Sequence, residues 1–252
     1  MTLAPKPAAP APGRGIRLLP AFLAVGSWTL ISRVLGLARD IMMAAYLGTG
    51  PVAQAFLIAF TLPNMFRRFF AEGAFNLAFV PMFAKKLEAG EDAEEFARDA
   101  LSGLGSVLIV FVLIGQLLMP WLVLAMASGF AGDERFTLSV EHGRIAFPYI
   151  LFISLTALLS GVLNSFGRFA LAAAAPILMN VVMIAFLLIG DWTDGNIGLW
   201  QIWSVPVAGV AQLALVWWGC ARIGFPVRPR WPRLTPEMRR LAVVATPALL
   251  AG

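Results

Sequence analysis

The sequence has 252 residues, of which 60% are hydrophobic and 13% are charged, and its mean hydropathy is +0.81. This composition excludes an ordinary soluble domain and predicts an all-α polytopic membrane protein. The net charge of +5 follows a membrane topology, described below, so we expect no nucleic-acid partner. The single cysteine, Cys220, excludes an intrachain disulfide, and no grouping of Cys and His predicts a metal site or a cofactor.

The chain begins with MTLAPKPAAPAPGRG, which is rich in alanine and proline and predicts a disordered cytoplasmic tail over residues 1–15. Hydropathy then predicts a helical bundle of six complete spans within residues 16–221. The predicted spans are Arg17 to Tyr46, Val52 to Ala84, Phe96 to Ala127, Thr137 to Ser165, Phe169 to Gly190 and Leu199 to Ala221.

Two further segments follow these spans. Residues 222–235 predict a basic cytoplasmic linker, which suits either a loop that sets the topology between two lobes or a surface for anionic lipid headgroups. A seventh span opens at Pro236, and its apolar run LAVVATPALLAG is cut off at Gly252. We therefore expect the chain to be part of a longer protein, with residues 236–252 as the start of a second lobe.

The basic residues predict the orientation of the spans. With the N-terminus in the cytoplasm, the outside segments hold only Arg135 and, near a span boundary, Arg144. This asymmetry fits the positive-inside rule. An acidic cluster from Glu88 to Asp99 falls in the first cytoplasmic loop, where it predicts a solvated helix entrance. The basic residues on the inside are Lys6, Arg14, Arg17, Lys85, Lys86, Arg98, Arg168, Arg222, Arg228, Arg230, Arg233, Arg239 and Arg240.

Charged residues also lie within the first two predicted spans. A charge near the middle of a bilayer helix costs roughly 2.5 to 3.5 kcal/mol, so such residues indicate a functional site. With a rise of ~1.5 Å per residue, Arg33 and Arg67 lie about 20 Å and about 23 Å from the outer surface, and Arg39 lies about 10 Å from it. The charged residues are Arg33, Arg39, Asp40, Arg67, Arg68 and Glu72.

These charges allow two interpretations. Arg68 and Glu72 are four residues apart and could neutralise each other, and Arg39 and Asp40 could find partners across a packed interface. Arg33 and Arg67, however, have no acidic residue at helical spacing in their own spans. Because guanidinium groups bind phosphate oxygens in a two-pronged fashion, the arginines predict an anionic ligand, best a diphosphate.

Gly36 lies between Arg33 and Arg39, which point about 120° apart on a straight helix. A bend at Gly36 would bring both guanidinium groups to one cavity, so we predict a hinge there. Broken helices at membrane depth are tolerated where a cavity satisfies the freed backbone groups.

Three blocks together resemble the MurJ (MviN) family of lipid II flippases, within the multidrug/oligosaccharidyl-lipid/polysaccharide exporter superfamily. The resemblance runs from about Ile16 to the end of the chain. The blocks are SRVLGLARD, FTLPNMFRRFFAEGAFNLAFVPMFAK and FPYILFISLTALLSGVLNSFGRFALAAAAPILMN.

The resemblance implies a fourteen-helix protein of the bacterial inner membrane, of which this chain is the first six-helix lobe. It implies that lipid II, an undecaprenyl-diphosphate-linked peptidoglycan precursor, is moved to the outer leaflet by alternating access. Carried over by motif, Arg33, Arg39 and Arg67 would bind the substrate. The nearby Asp40, Asn64, Arg68 and Glu72 are candidates for supporting residues. One departure is Gln54, where many members have an acidic residue.

Three alternatives remain. The substrate could be another polyprenyl-linked saccharide, and cavity arginines do not separate one lipid diphosphate from another. The chain could instead be a scaffold that recruits cell-wall synthesis proteins, which would need no arginines at mid-membrane depth. An enzyme acting on lipid diphosphates would want paired carboxylates for Mg²⁺ or a histidine nucleophile. The flippase, in contact with membrane lipids and its lipid-diphosphate substrate, is the favoured hypothesis.

Overall fold

The computed structural model describes residues 18–67, 70, 74–233, 235–241 and 243. The predicted N-terminal tail, and Arg68 and Glu72, lie outside the described residues. Within them the chain is helical, with helices α1 to α9 and one short 3-10 turn at Ser128–Phe130. The helices are α1 Leu18–Leu47, α2 Pro51–Arg67, α3 Ala74–Ala89, α4 Ala93–Leu117, α5 Met119–Met126, α6 Glu134–Ala146, α7 Tyr149–Ser165, α8 Phe169–Trp192 and α9 Ile197–Arg222.

The first predicted span and the last two agree closely with α1, α8 and α9, whereas the three spans between them are divided. The predicted third span ends as a helix at Leu117, and α5 starts with Pro120 in its first turn. The predicted fourth span, Thr137 to Ser165, matches the apolar segment Glu134–Ser165 to within three residues, and Pro148 divides that segment into α6 and α7. Proline lacks a backbone N–H and favours the first turn of a helix, which explains both divisions.

The predicted second span contains two helices, α2 and α3. Most of the residues between them lie outside the described part of the chain. Beyond the linker, residues 236–241 are helical, where the seventh span was predicted to open.

Four segments among the described residues are long and apolar enough to cross a membrane, namely Ala93–Leu117, Glu134–Ser165, Phe169–Trp192 and Ile197–Arg222. The all-α membrane bundle predicted from composition is confirmed. The number of six spans stays a prediction.

The helices pack around α7, α8 and α9. Helix α8 lies along both α1 and α9, whereas α2 packs mainly on α6, and α7 contacts α2, α3, α4, α8 and α9. Aromatic rings fill the main core, with Phe79 stacked on Phe83 and Phe96. A second, smaller core lies where α2, α7, α8 and α9 meet, around Phe56, Tyr149, Met183 and Ile202. Among the described residues, helix α1 is therefore held to the bundle mainly by α8.

The acidic cluster before and within α4 is largely solvated, as predicted, since Glu88, Glu91, Asp92 and Glu95 are exposed. Asp99 is the exception. It is only 4% exposed, and Arg230 of the linker binds it, with Nε 2.6 Å from Oδ1 and an Nη atom 2.6 Å from Oδ2. The same guanidinium contacts Glu95 at 2.8 Å. Two charged groups separated by 131 residues along the chain thus fasten the linker to the end of the bundle where α4 begins. Local sequence patterns cannot predict such a pairing.

Candidate functional site

The predicted site begins on α1, which is a continuous helix through Gly36. Asn180 of α8 lies directly against this glycine, and a Cβ built on Gly36 would be 3.7 Å from the Asn180 Nδ2 atom. The Asn180 amide donates to the Ser32 carbonyl oxygen over 3.0 Å. This contact fixes the middle of α1 on α8. The hinge predicted at Gly36 stays a prediction.

Arg39 is part of the same contact between α1 and α8. Its Nη1 atom donates to the Asn180 Oδ1 atom over 3.0 Å, and its Nη2 atom lies 2.8 Å from the Asp40 carboxylate. The Arg39 side chain is 16% exposed, whereas the Asp40 side chain is 61% exposed. Of the two interpretations of these charges, the one with partners across a packed interface holds for Arg39 in this structure.

Arg33 has different surroundings from Arg39. Its side chain is exposed, and it makes no hydrogen bond or ion pair within the part of the chain that the structure describes. The neighbouring Leu30 and Leu37 are also exposed, by 64% and 62%. Arg33 is therefore a cation on an apolar face of α1 that the described residues leave uncovered.

Asp40 lies on the same side of α1 as Arg33. The two residues are seven positions apart, which turns a helix to within about 20° of the same direction and separates them by about 10 Å. Asp40 lines a cavity of about 220 Å³ between α1 and α2, together with Met43, Ala53 and Phe56. A carboxylate and a guanidinium thus share one face of α1, beside the space between the first two helices.

The second half of the predicted site is at the end of α2. Arg67 is in the last turn of this helix and is half-buried. Asn64, one turn earlier, donates through Nδ2 to the Phe60 carbonyl oxygen over 2.9 Å. Helices α1 and α2 have little direct contact among the described residues, because α1 packs on α8 and α2 packs on α6. Space for a ligand between the two helices is consistent with this arrangement.

Gln54 makes a contact that the sequence did not predict. Its Oε1 atom accepts a hydrogen bond from Arg135 Nη1 over 3.1 Å, and its Nε2 atom donates to the Thr49 carbonyl oxygen over 3.0 Å. Arg135 is also 2.6 Å from Asp133. Gln54 therefore joins the turn between α1 and α2 to the start of α6, and an acidic residue there would face the Arg135 guanidinium.

The sequence prediction missed Asn180, which is 6% exposed and contacts both Ser32 and Arg39. Its only signal in the sequence is an amide within the apolar run PILMNVVMIAF. Polar side chains in such runs commonly bond across helices. No group of His, Cys, Asp and Glu among the described residues has the geometry of a metal site.

The chemistry of this arrangement is that of binding. Arg33 and the half-buried Arg67 offer guanidinium donors suited to phosphate or carboxylate oxygens. The convergence of Arg33, Arg39 and Arg67 on one ligand stays a prediction, because the structure places Arg39 against α8 and Arg33 on an uncovered face.

Comparison with known proteins identifies relatives over most of the chain. The family model described as lipid II flippase MurJ matches residues 43–252. A probable lipid II flippase MurJ from Rhizobium tropici is 47% identical over 242 residues, which cover 93% of this chain and 45% of the relative. The lipid II flippase MurJ of Burkholderia cenocepacia is 38% identical over 244 residues, or 94% of this chain and 47% of the relative.

Solved structures agree on the fold. A lipid II flippase MurJ in an inward closed conformation matches with a TM-score of 0.72 and 22% identity, over 90% of this chain and 47% of that one. A transporter of the MOP superfamily from Pyrococcus furiosus matches with a TM-score of 0.69 and 15% identity, over 96% of this chain and 55% of that one.

The chain spans about half the length of the curated relatives that it matches. The activity for which these relatives are named, lipid flipping, is transport and not enzyme catalysis. The resemblance carried by the three sequence blocks is thereby confirmed: the chain belongs to the MurJ lipid II flippase family.

Proposed function

We propose that the protein containing this chain flips lipid II, or a closely related undecaprenyl-diphosphate-linked precursor, from the inner to the outer leaflet of the bacterial inner membrane. The chain would supply the first lobe, with its N-terminus in the cytoplasm, and the remainder of the protein a second lobe. The two lobes would move against each other by alternating access, with no covalent step.

The observation that carries the proposal is the position of Arg33. This residue is near the middle of α1, is exposed, and has exposed leucines beside it. A guanidinium facing acyl chains at that depth would cost roughly 2.5 to 3.5 kcal/mol. We therefore expect its face of α1 to border a polar cavity shared with the second lobe, where a diphosphate would replace water around the cation.

The other candidate residues have distinct parts in this proposal. Arg67 would bind the same headgroup from α2, with Asn64 one turn away. Arg39 would be held ready by Asp40 and Asn180, to which it is bonded in this structure. A shift of α1 relative to α8 would be needed to release it. Arg68 and Glu72 would support this binding site, a role that rests on the sequence alone.

The test uses the full-length protein, with outward movement of lipid II as the measurement. Arg33→Ala and Arg67→Ala should each abolish movement while leaving membrane insertion intact. Arg33→Lys should retain only part of the activity, because lysine keeps the charge but loses the two-pronged geometry. Arg168→Ala is the matched control, since Arg168 is exposed at the junction of α7 and α8. Normal flipping by both alanine variants would reject the assignment.

A second candidate is export of another polyprenyl-linked saccharide. Guanidinium groups bind phosphate oxygens whatever saccharide the diphosphate carries, so the arginines alone do not separate the two substrates. A binding assay that compares peptidoglycan and O-antigen precursors on the full-length protein separates the two. A scaffold for cell-wall synthesis proteins would instead be supported if substitution of all three arginines left function unchanged.

A further inference from the structure

The linker after α9 combines buried anchors with an exposed aromatic residue. Helix α9 ends at Arg222, and residues 225–233 have no regular secondary structure. Phe225 is 9% exposed and Val227 is fully buried, whereas Trp231 is 89% exposed. Trp231 is therefore an exposed aromatic residue on a segment that Phe225 and Val227 attach to the bundle.

The contacts of Arg230 determine the level of this tryptophan relative to the membrane. The Arg230 backbone N–H donates to the Ser102 Oγ atom over 2.9 Å, and its side chain binds Asp99. On α4, no charged residue occurs between Ala100 and Leu117. Asp99 and Ser102 therefore mark the place where α4 enters the apolar region, and Trp231 lies at that boundary.

The end of α9 provides a second indication of the same boundary. Trp218 is 50% exposed one turn before the helix ends, and the Arg222 guanidinium lies 4.9 Å from the centre of its ring. Tryptophan is enriched at membrane–water interfaces, with the ring at the level of the headgroups. Two exposed tryptophans thus lie at the same end of the bundle.

The charged residues of the segment 225–233 are all arginines. Arg228 and Arg233 are exposed and make no ion pair within the described part of the chain. The nearest acids of α4 are already bound, because Asp99 and Glu95 contact Arg230 and Glu94 contacts Arg98. The outer surface of the linker is therefore basic, with an aromatic ring at its centre.

We propose that residues 225–233 form an interfacial anchor for anionic phospholipids. Trp231 would lie among the headgroups of the leaflet that faces this end of the bundle, and Arg228 and Arg233 would contact lipid phosphates. Arg230 holds the segment at the correct depth and is not itself a lipid contact. Basic residues close to an anionic membrane surface attract its lipids electrostatically. The anchor is separate from the flippase site and does not depend on which lipid that site carries.

The experiment places the full-length protein in vesicles of phosphatidylcholine and phosphatidylglycerol mixed in equal parts. Either lipid carries bromine near the top of its acyl chains as a quencher. The signal is the Trp231 fluorescence, obtained as the difference between the wild-type protein and Trp231→Phe. We expect brominated phosphatidylglycerol to quench this signal several-fold more than brominated phosphatidylcholine.

The arginines are tested by substitution in the same vesicles. Arg228→Gln combined with Arg233→Gln should abolish the preference for phosphatidylglycerol, and added salt should weaken it because it screens exposed charges. Arg168→Gln, which removes another exposed arginine, should leave the preference unchanged. Absence of quenching by either lipid would overturn the proposal, since the rest of the protein would then cover Trp231. An equal response to both lipids in the wild-type protein would overturn it too.

Discussion

Asn180 joins α8 to two points on α1, because it donates to the Ser32 carbonyl oxygen and accepts from the Arg39 guanidinium, each over 3.0 Å. These two partners flank Gly36, and the glycine has room for the amide at its surface. The buried Asn180 side chain therefore connects the segment of α1 that carries Arg33 to α8.

Loss of the Asn180 amide should weaken the contact between α1 and α8 without unfolding the bundle. Hydrogen bonds between membrane helices contribute about 0.6 kcal/mol on average and at most about 1.7 kcal/mol. Asn180→Leu should therefore lower the free energy of unfolding by about 1 kcal/mol, measured by denaturant titration of the full-length protein in detergent.

Asn64→Leu is the matched control for stability, since among the described residues the Asn64 amide donates to the Phe60 carbonyl oxygen of its own helix. Asn64→Leu should lower the free energy of unfolding by less than Asn180→Leu does. An equal or larger loss of stability in Asn64→Leu would contradict a special role of Asn180 in joining the two helices.

The bond between Arg230 and Asp99 should show an asymmetry between its partners. Asp99 is 4% exposed, so Arg230→Ala leaves a buried carboxylate without its cation, a change that costs about 3 to 5 kcal/mol at fully buried sites. The Arg230 side chain is 24% exposed, so we expect the lower part of that range. Asp99→Asn should lower the free energy of unfolding by less than Arg230→Ala does, because Arg230 keeps Glu95 as a partner.

Unfolding titrations of the two single variants and the double variant measure this coupling. Arg228→Ala serves as the control, because Arg228 is a neighbouring exposed arginine and should change stability very little. If Arg230→Ala and Arg228→Ala had the same stability, the linker would not be fastened through this ion pair.

Hydropathy was sufficient to predict α8 and α9, because each is a long apolar run bounded by polar residues. It could not place the division between α4 and α5 or between α6 and α7, because the apolar runs continue through Pro120 and Pro148. A proline in such a run is compatible with either a kink or a helix end.

The candidate site was predicted only in part for a different reason. The charges of Arg33, Arg39 and Arg67 are visible in the sequence, but their partners depend on which helices are neighbours. Arg39 is 141 residues from Asn180, so its partner follows from the packing of α1 on α8. Arg33 lies on a face that the described residues leave uncovered, so its partner cannot be read from their packing, and the diphosphate remains a proposal.

Lys86 should confer a stability that depends on alkaline pH. A hydrogen bond from its ammonium group to Glu237, at 2.7 Å, raises the pKa of Lys86. Because the folded pKa is above the unfolded one, the stabilisation is fully present below the ordinary lysine pKa of about 10.4 and is lost as the pH rises through the folded value. The stability advantage of the wild-type protein over Lys86→Met should therefore be constant near neutral pH and shrink in alkali.

Thermal denaturation across this pH range measures the effect. Lys85→Met controls for general charge loss, because Lys85 is the adjacent lysine and is exposed. A wild-type advantage over Lys86→Met that stays constant into strong alkali would show that the ammonium group does not stabilise the fold through Glu237.

Two glycines of α4 should respond oppositely to the same substitution. A Cβ on Gly115 would overlap the ring of Phe147, which is fully buried, whereas a Cβ on Gly105 would meet only Leu155 at 3.9 Å. Overpacking costs typically about 1 to 3 kcal/mol, and alanine gains up to about 1 kcal/mol over glycine inside a helix. Gly115→Ala should therefore lower the thermal midpoint of the full-length protein, and Gly105→Ala should leave it unchanged or raise it. The Phe147 ring also packs on Phe66 and Phe111, so it has little room to move, and a neutral Gly115→Ala would mean that α4 lies farther from the start of α7 than in this structure.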